Sequence, residues 1–180
     1  MCTYSFGVMI VDDSEADVET ITRSLLALAS PPCVLVCRTA GEALEALHTH
    51  PELIDRTVPF VILVEANLPL ISGVEFVACM RCDASLSRIP VFVLAQSRSD
   101  CEQFAAHDLG IAGYLRKPTL PGESEAIAAQ IAAYVRGGSS ADRSRQRAHS
   151  RSRAVCLPHR VAGTSKAPAL QCRPTTTSAG

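Results

Sequence analysis

Six residues, Phe60-Val61-Ile62-Leu63-Val64-Glu65, constrain the chain more than any other stretch. The run is apolar without alternation, too short for a helix, and ends in a carboxylate. Such a segment reads as a β-strand buried on both faces, which belongs in a parallel sheet covered by helices. Glu65 then stands at the carboxyl end of the strand, the edge where ligands and chemistry collect in open α/β sheets. Asp12, Asp13 and Lys117 are its expected neighbours, making one acidic pocket with one cation.

Four more runs of the same kind follow the same logic: Gly7–Val11, Cys33–Arg38, Val91–Ala95 and Ile111–Leu115. Helical signals separate them. Ser14 with Asp17 three positions on predicts an N-cap, and Val18, Ile21, Leu25 and Leu28 recur at helical spacing until Pro31-Pro32. Thr39 with Glu42 opens a short helix to about His48, and Val74–Cys82 predicts the next. Ser99 with Glu102 predicts a cap for a helix running to Leu109 and stopped by Gly110. Pro121 suits the first turn of a last helix with Ile127, Ile131, Tyr134 and Val135 on its buried face. Strand and helix alternate five times with short connections. That pattern predicts a doubly wound α/β fold with a five-stranded parallel sheet and helices on both faces. All strands then point one way, and Asp12, Asp13, Glu65, Ala95 and Lys117 come to one edge.

Charge divides the chain. Residues 1–136 hold 9 Lys+Arg against 17 Asp+Glu, whereas residues 137–180 hold 8 against 1. After Gly137-Gly138-Ser139-Ser140 the apolar periodicity stops, and Arg143–Arg153 alternates Arg and Ser. Such a stretch buries too little to offset its ordering entropy, so residues 1–136 are read as the domain and 137–180 as a disordered basic tail. Arg/Ser-rich segments bind nucleic acid through phosphates. A solvated extension is the simpler reading, and with 4% aromatics and no Trp, stacking platforms for bases are not expected. No apolar run approaches the roughly 18 residues of a membrane span. The first apolar run stops at Asp12 without a charged leader before it, so no secretion signal is read and a cytoplasmic protein is expected. The eight cysteines are accordingly read as reduced thiols. Cys79-Met80-Arg81-Cys82 has the spacing of a zinc or redox pair, but no further ligands lie close in sequence and the pair falls late in a helix. Cys33 and Cys37 read as small apolar fillers.

Three motifs at the ends of alternate strands resemble the receiver domain of bacterial two-component response regulators. They are Val11-Asp12-Asp13-Ser14, then Val64-Glu65-Ala66-Asn67-Leu68-Pro69 with Gly73, then Tyr114-Leu115-Arg116-Lys117-Pro118. The likeness covers about residues 6–136, and its wording is most similar to receivers of the phytochrome-partner type. It implies the flavodoxin-like strand order 2-1-3-4-5. It also implies that Asp12 and Asp13 bind Mg²⁺ with the backbone carbonyl of Asn67, and that position 65 accepts a phosphoryl group from a sensor histidine kinase. By the same likeness position 95 and Lys117 hold the phosphoryl oxygens, Tyr114 is the aromatic switch, and Pro118 follows a cis bond, although X-Pro bonds are usually trans. Taken singly, Asp13 reads as well as a solvated loop acid, Lys117 as a surface lysine, and Tyr114 as a plain strand residue.

Two departures decide the expected function. The acceptor position holds Glu65 instead of Asp, and the hydroxyl position holds Ala95 instead of Ser or Thr. Glutamate reaches about 1.5 Å further, one carbon–carbon bond, into the space of the phosphoryl group. Gln96 narrows the pocket and has an amide to donate to Glu65. The expectation is therefore a degenerate, single-domain receiver, not an enzyme, in which Glu65 pairs with Lys117. It signals by contact with a kinase, another signalling protein or itself through the fourth helix, fifth strand and fifth helix. A conventional phosphoacceptor is the alternative. An enzyme on the same sheet is disfavoured, because Asp12-Asp13-Ser14-Glu15 fills the first strand–helix turn where a Gly-rich phosphate loop would lie.

Overall fold

The computed structural model describes residues 5–50, 58–120, 122–137 and 169–171. In chain order the elements are β1 (Gly7–Val11), α1 (Glu15–Leu26), β2 (Cys33–Cys37), α2 (Ala40–Thr49), β3 (Phe60–Glu65) and α3 (Gly73–Cys82). They continue with β4 (Val91–Ala95), α4 (Arg98–Ala106), β5 (Gly113–Arg116), α5 (Glu123–Gly137) and β6 (Ala169–Gln171). β1 to β5 are parallel in the order 2-1-3-4-5, the expected doubly wound sheet.

Alternate strand residues face opposite sides of the sheet, so the core has two halves. Met9, Val11, Ile62, Val64, Val91 and Val93 pack against α2, α3 and α4 through side chains such as Leu47, Phe76 and Phe104. Val8, Ile10, Val61, Leu63 and Leu94 pack against α1 and α5 through side chains such as Ile21, Leu25 and Ile131. β1, β3 and β4 are buried on nearly every residue, as their unalternating sequences require.

Three features differ from the expected elements. The cap of α4 is Ser97, not Ser99: the Ser97 hydroxyl accepts from the Asp100 N–H, and the Asp100 carboxylate accepts from the Ser97 N–H. Asp100 is buried and also takes the Gln96 N–H at 2.8 Å, which fixes the helix start two residues earlier. The helix then ends at Ala106 instead of Leu109, and the chain leaves it through the left-handed Asp108 (φ 45°). Second, α3 carries a reciprocal cap between Ser72 and Glu75.

Third, Ala169–Gln171 adds antiparallel to β2 as a sixth strand, within the stretch expected to lack order. β2 is otherwise an edge with unpaired backbone groups, which any extended segment within reach can satisfy. Residues 138–168 and 172–180, like Pro121, lie outside the described residues. No described peptide bond is cis, so Lys117–Pro118 is trans. Cys37, Cys79 and Cys101 are free thiols, and burial pushes the Cys37 thiol up to about 12. Cys82 is disulfide-bonded, a departure from the all-thiol reading, and its partner is not the free Cys79.

Candidate functional site

Strand register brings the charged residues together. Val11 lies opposite Val64, so Asp12 follows β1 level with Glu65 at the end of β3. Ala95 lies opposite Arg116, and the Lys117 N–H donates to the Ala95 carbonyl at 3.0 Å, which delivers Lys117 to the same edge. Gly73 lets the start of α3 close over this edge. A Cβ there would collide with the Glu65 carbonyl oxygen, while the Gly73 N–H donates to the Ala66 carbonyl at 3.1 Å.

The Lys117 ammonium lies 2.8 Å from Asp12 Oδ2 and 2.8 Å from Asp17 Oδ2, and it contacts Glu65 Oε2. Asp12 is 0% exposed, Glu65 2% and Lys117 5%. The bond from Lys117 to Asp17 is a well-directed hydrogen bond. Asp12 Oδ2 and Glu65 Oε2 are fully buried and meet the ammonium as ion pairs, without hydrogen-bond geometry. The outer oxygens are also engaged: the Ser14 N–H donates to Asp12 Oδ1 at 2.9 Å, and the Asn67 N–H donates to Glu65 Oε1 at 3.1 Å. Burial pushes the Asp12 and Glu65 carboxyls above the usual range, against the pull of Lys117 and these N–H groups. Burial also works against the Lys117 ammonium, but the three carboxylates outweigh it and hold its proton more firmly than usual.

The other expected site residues are less central. Asp13 is exposed and stands outside the ion cluster. Asn67 turns its N–H, not its carbonyl, to Glu65, and its side-chain amide donates to Asp100 Oδ1 at 3.2 Å. Gln96 is exposed and is tied to Asp100 by its backbone, while the oxygens of Glu65 are taken by Lys117 and Asn67. Ala95 is buried and brings no hydroxyl. Tyr114 is 39% exposed on β5, and burial of part of its ring, with Cys101 nearby, raises its phenol.

Two functional residues are not evident from sequence. Asp17 fits a helix cap by its spacing, and its N–H does donate to the Ser14 hydroxyl at 3.4 Å. Because Asp12 takes the Ser14 N–H, however, the Asp17 carboxylate is free to reach Lys117. Asp100 ties the loop after β4 to the loop after β3. An acid on the first turn of a helix that starts at the charged edge is the signal that marks both.

The residues present do not fit the Mg²⁺ that the sequence likeness implies. Mg²⁺ requires oxygen ligands in octahedral array and keeps several waters. Here every carboxylate oxygen of Asp12 and Glu65 already faces a protein donor, and both side chains are closed to water. Among the described residues, no three His, Cys, Asp or Glu side chains are arranged to hold a metal. No described helix is long and apolar enough to cross a membrane.

Comparison with known proteins gives a consistent picture. Residues 8–129 match the model of the response regulator receiver domain. Response regulator Rcp1 of Synechocystis sp. is 29% identical over 110 residues, 61% of this chain and 75% of that protein. The crystal structure of the phosphorylated cyanobacterial phytochrome response regulator RcpA superposes with a TM-score of 0.64 at 28% identity, covering 77% of this chain and 98% of that one. The Mn²⁺-bound form of Rcp1 gives 0.59 at 25% identity, covering 72% and 93%.

Proposed function

This chain belongs to the response regulator receiver family of two-component signal transduction, and on that premise we propose that it is a degenerate receiver. Its unit is residues 1–136, carrying the basic residues 137–180 as an appendage. In this reading Glu65 is not a phosphoacceptor. It is a fixed charge partner for Lys117, and the pair stands where a reversible phosphoryl–lysine contact would form. The observation that carries the reading is the buried Lys117 ammonium set between Asp12, Asp17 and Glu65. The chemistry of the pocket supports it. A phosphoryl group needs cations to neutralise the charge it brings. Among the described residues the ammonium at this edge is that of Lys117, which already serves three carboxylates, and Ala95 offers no hydroxyl.

With its switch fixed, the protein acts by contact. The proposed surface is the α4–β5–α5 face, where Tyr114 is exposed. The proposed partners are a sensor histidine kinase, another signalling protein or a second copy of this chain, in the cytoplasm. Acetyl phosphate with Mg²⁺, followed by intact-mass measurement, tests the reading. We expect no phosphoryl gain. A gain that disappears in Glu65→Gln would make the protein a conventional phosphoacceptor instead.

A further inference from the structure

We propose that Asp17 is the positioning residue that shuts divalent metal out of this site, by anchoring the Lys117 ammonium in the place a metal ion would take. Because the outer oxygens of Asp12 and Glu65 take the Ser14 and Asn67 N–H groups, a cation that draws on these two carboxylates needs their inward oxygens. Those are the two atoms that are fully buried and turned to Lys117. Lys117 meets both without good hydrogen-bond geometry, so neither alone fixes where the ammonium stands. Its directed bond, at 2.8 Å, goes to Asp17.

Asp17 is held in turn. It sits on the first turn of α1, with its N–H on the Ser14 hydroxyl and Ser14 tied to Asp12. The α1 N-terminus, the end of β1 and the residue after β5 thus form one closed loop of contacts around the ammonium. The four groups carry three negative charges and one positive, so the deficit attracts a divalent ion. What keeps the ion out is occupation of the oxygens, not lack of charge. The ammonium arrives on its own side chain and needs no shell of waters, whereas Mg²⁺ brings several. Asp12 at 0% and Glu65 at 2% exposure leave no room for them.

This inference rests on the closed-site reading above, yet it fails separately from it. The probe is Mn²⁺ alone, added to the full chain without any phosphodonor, with free Mn²⁺ counted by electron paramagnetic resonance. The wild type is expected to bind weakly. Asp17→Asn, which keeps the shape and leaves a side chain that is already 25% exposed, is expected to bind at least about tenfold more tightly, on the scale by which outer-shell changes move metal affinity. A mere charge effect runs the other way, because removing a carboxylate weakens attraction for a cation. Glu65→Asp, which changes no charge, is expected to show a gain of similar size by withdrawing Oε2 from the ammonium. Asp17→Asn binding Mn²⁺ no better than wild type, or Glu65→Asp showing no gain, overturns the assignment. A phosphoryl gain in acetyl phosphate, with the Mn²⁺ pattern as expected, would remove the proposed function and keep this inference. Tight Mn²⁺ binding by the wild type without phosphoryl gain would do the opposite.

Discussion

At the scale of single residues, the charge imbalance around Lys117 matters most. Asp12 and Glu65 are closed to water, and the ammonium is the group that faces their inner oxygens. Removing one partner of a buried ion pair costs about 3–5 kcal/mol, because the charge left behind has neither water nor counterion. Lys117→Met strands two carboxylates at once and is expected to destabilise at the upper end of that range. Glu65→Gln leaves Lys117 with Asp12 and Asp17 and keeps the acceptor oxygen for the Asn67 N–H, so its cost should be clearly smaller. Urea unfolding at neutral pH, read as a shift of midpoint at constant slope, measures both. Equal costs would mean that the cluster does not hinge on the ammonium. Sequence alone makes Glu65, Asp12 and Lys117 legible, since each ends or follows an apolar run and parallel strands bring such ends together. It does not expose Asp17, because the same residue satisfies a local capping pattern. Only the competition between Asp12 and Asp17 for the Ser14 N–H reveals which role its carboxylate takes.

At the scale of elements, the helix starts separate what local pattern tells from what packing decides. Thr39 caps α2 as its spacing to Glu42 requires. For α4 two serines compete, and Ser97 wins because Asp100, not Glu102, is the acid that is buried and bonded to both Gln96 and Ser97. Arg98 instead pairs with the exposed Glu102. Asp100→Ala removes two backbone acceptor contacts and the Asn67 link, and is expected to cost about 1–3 kcal/mol. Hydrogen exchange should show the loss in α4 and the loop after β3, with α1 and α5 unchanged. The join of α2 to the end of α3 depends on pH instead. His48 Nε2 meets Asp83 Oδ2 at 2.8 Å. The contact with Asp83, with help from the Leu44 carbonyl, raises His48. Ser85, then His48, lowers Asp83 to about 2. A raised histidine adds stability that is complete below its unfolded value, near 6.5, and lost as pH rises through the folded one. A lowered aspartate adds stability that is complete above its unfolded value, near 3.9, and lost as pH falls through the folded one. The join should therefore be firmest between about pH 4 and 6.5 and loosen as pH rises through the raised His48 value. Protection at the last turn of α2, taken relative to the intrinsic exchange rate at each pH, should follow that course, and His48→Ala should abolish its loss above about pH 6.5 while Ser85 still holds Asp83 low.

At the scale of the whole molecule, strand order is legible because alternation, short connections and converging charged ends leave few topologies open. The sixth strand is not. Ala169–Gln171 carries no long apolar run, and its partner is chosen by an open edge more than a hundred residues back in the chain. Local pattern says nothing about which edge stands unpaired. The pairing has a measurable consequence. Three residues set against Val34, Leu35 and Val36 supply few hydrogen bonds, each worth about 0.5–1.5 kcal/mol net, so truncation after Gly137 should lower stability only modestly. Its mark should be local. Amides of β2 that turn away from β1 should exchange faster in the truncated chain, while those bonded to β1 keep their protection. The bared edge should also favour association at high concentration, since an unpaired strand is a template for another chain. If exchange along β2 is the same with and without the last residues, β6 does not hold that edge in solution, and the receiver sheet ends at β2.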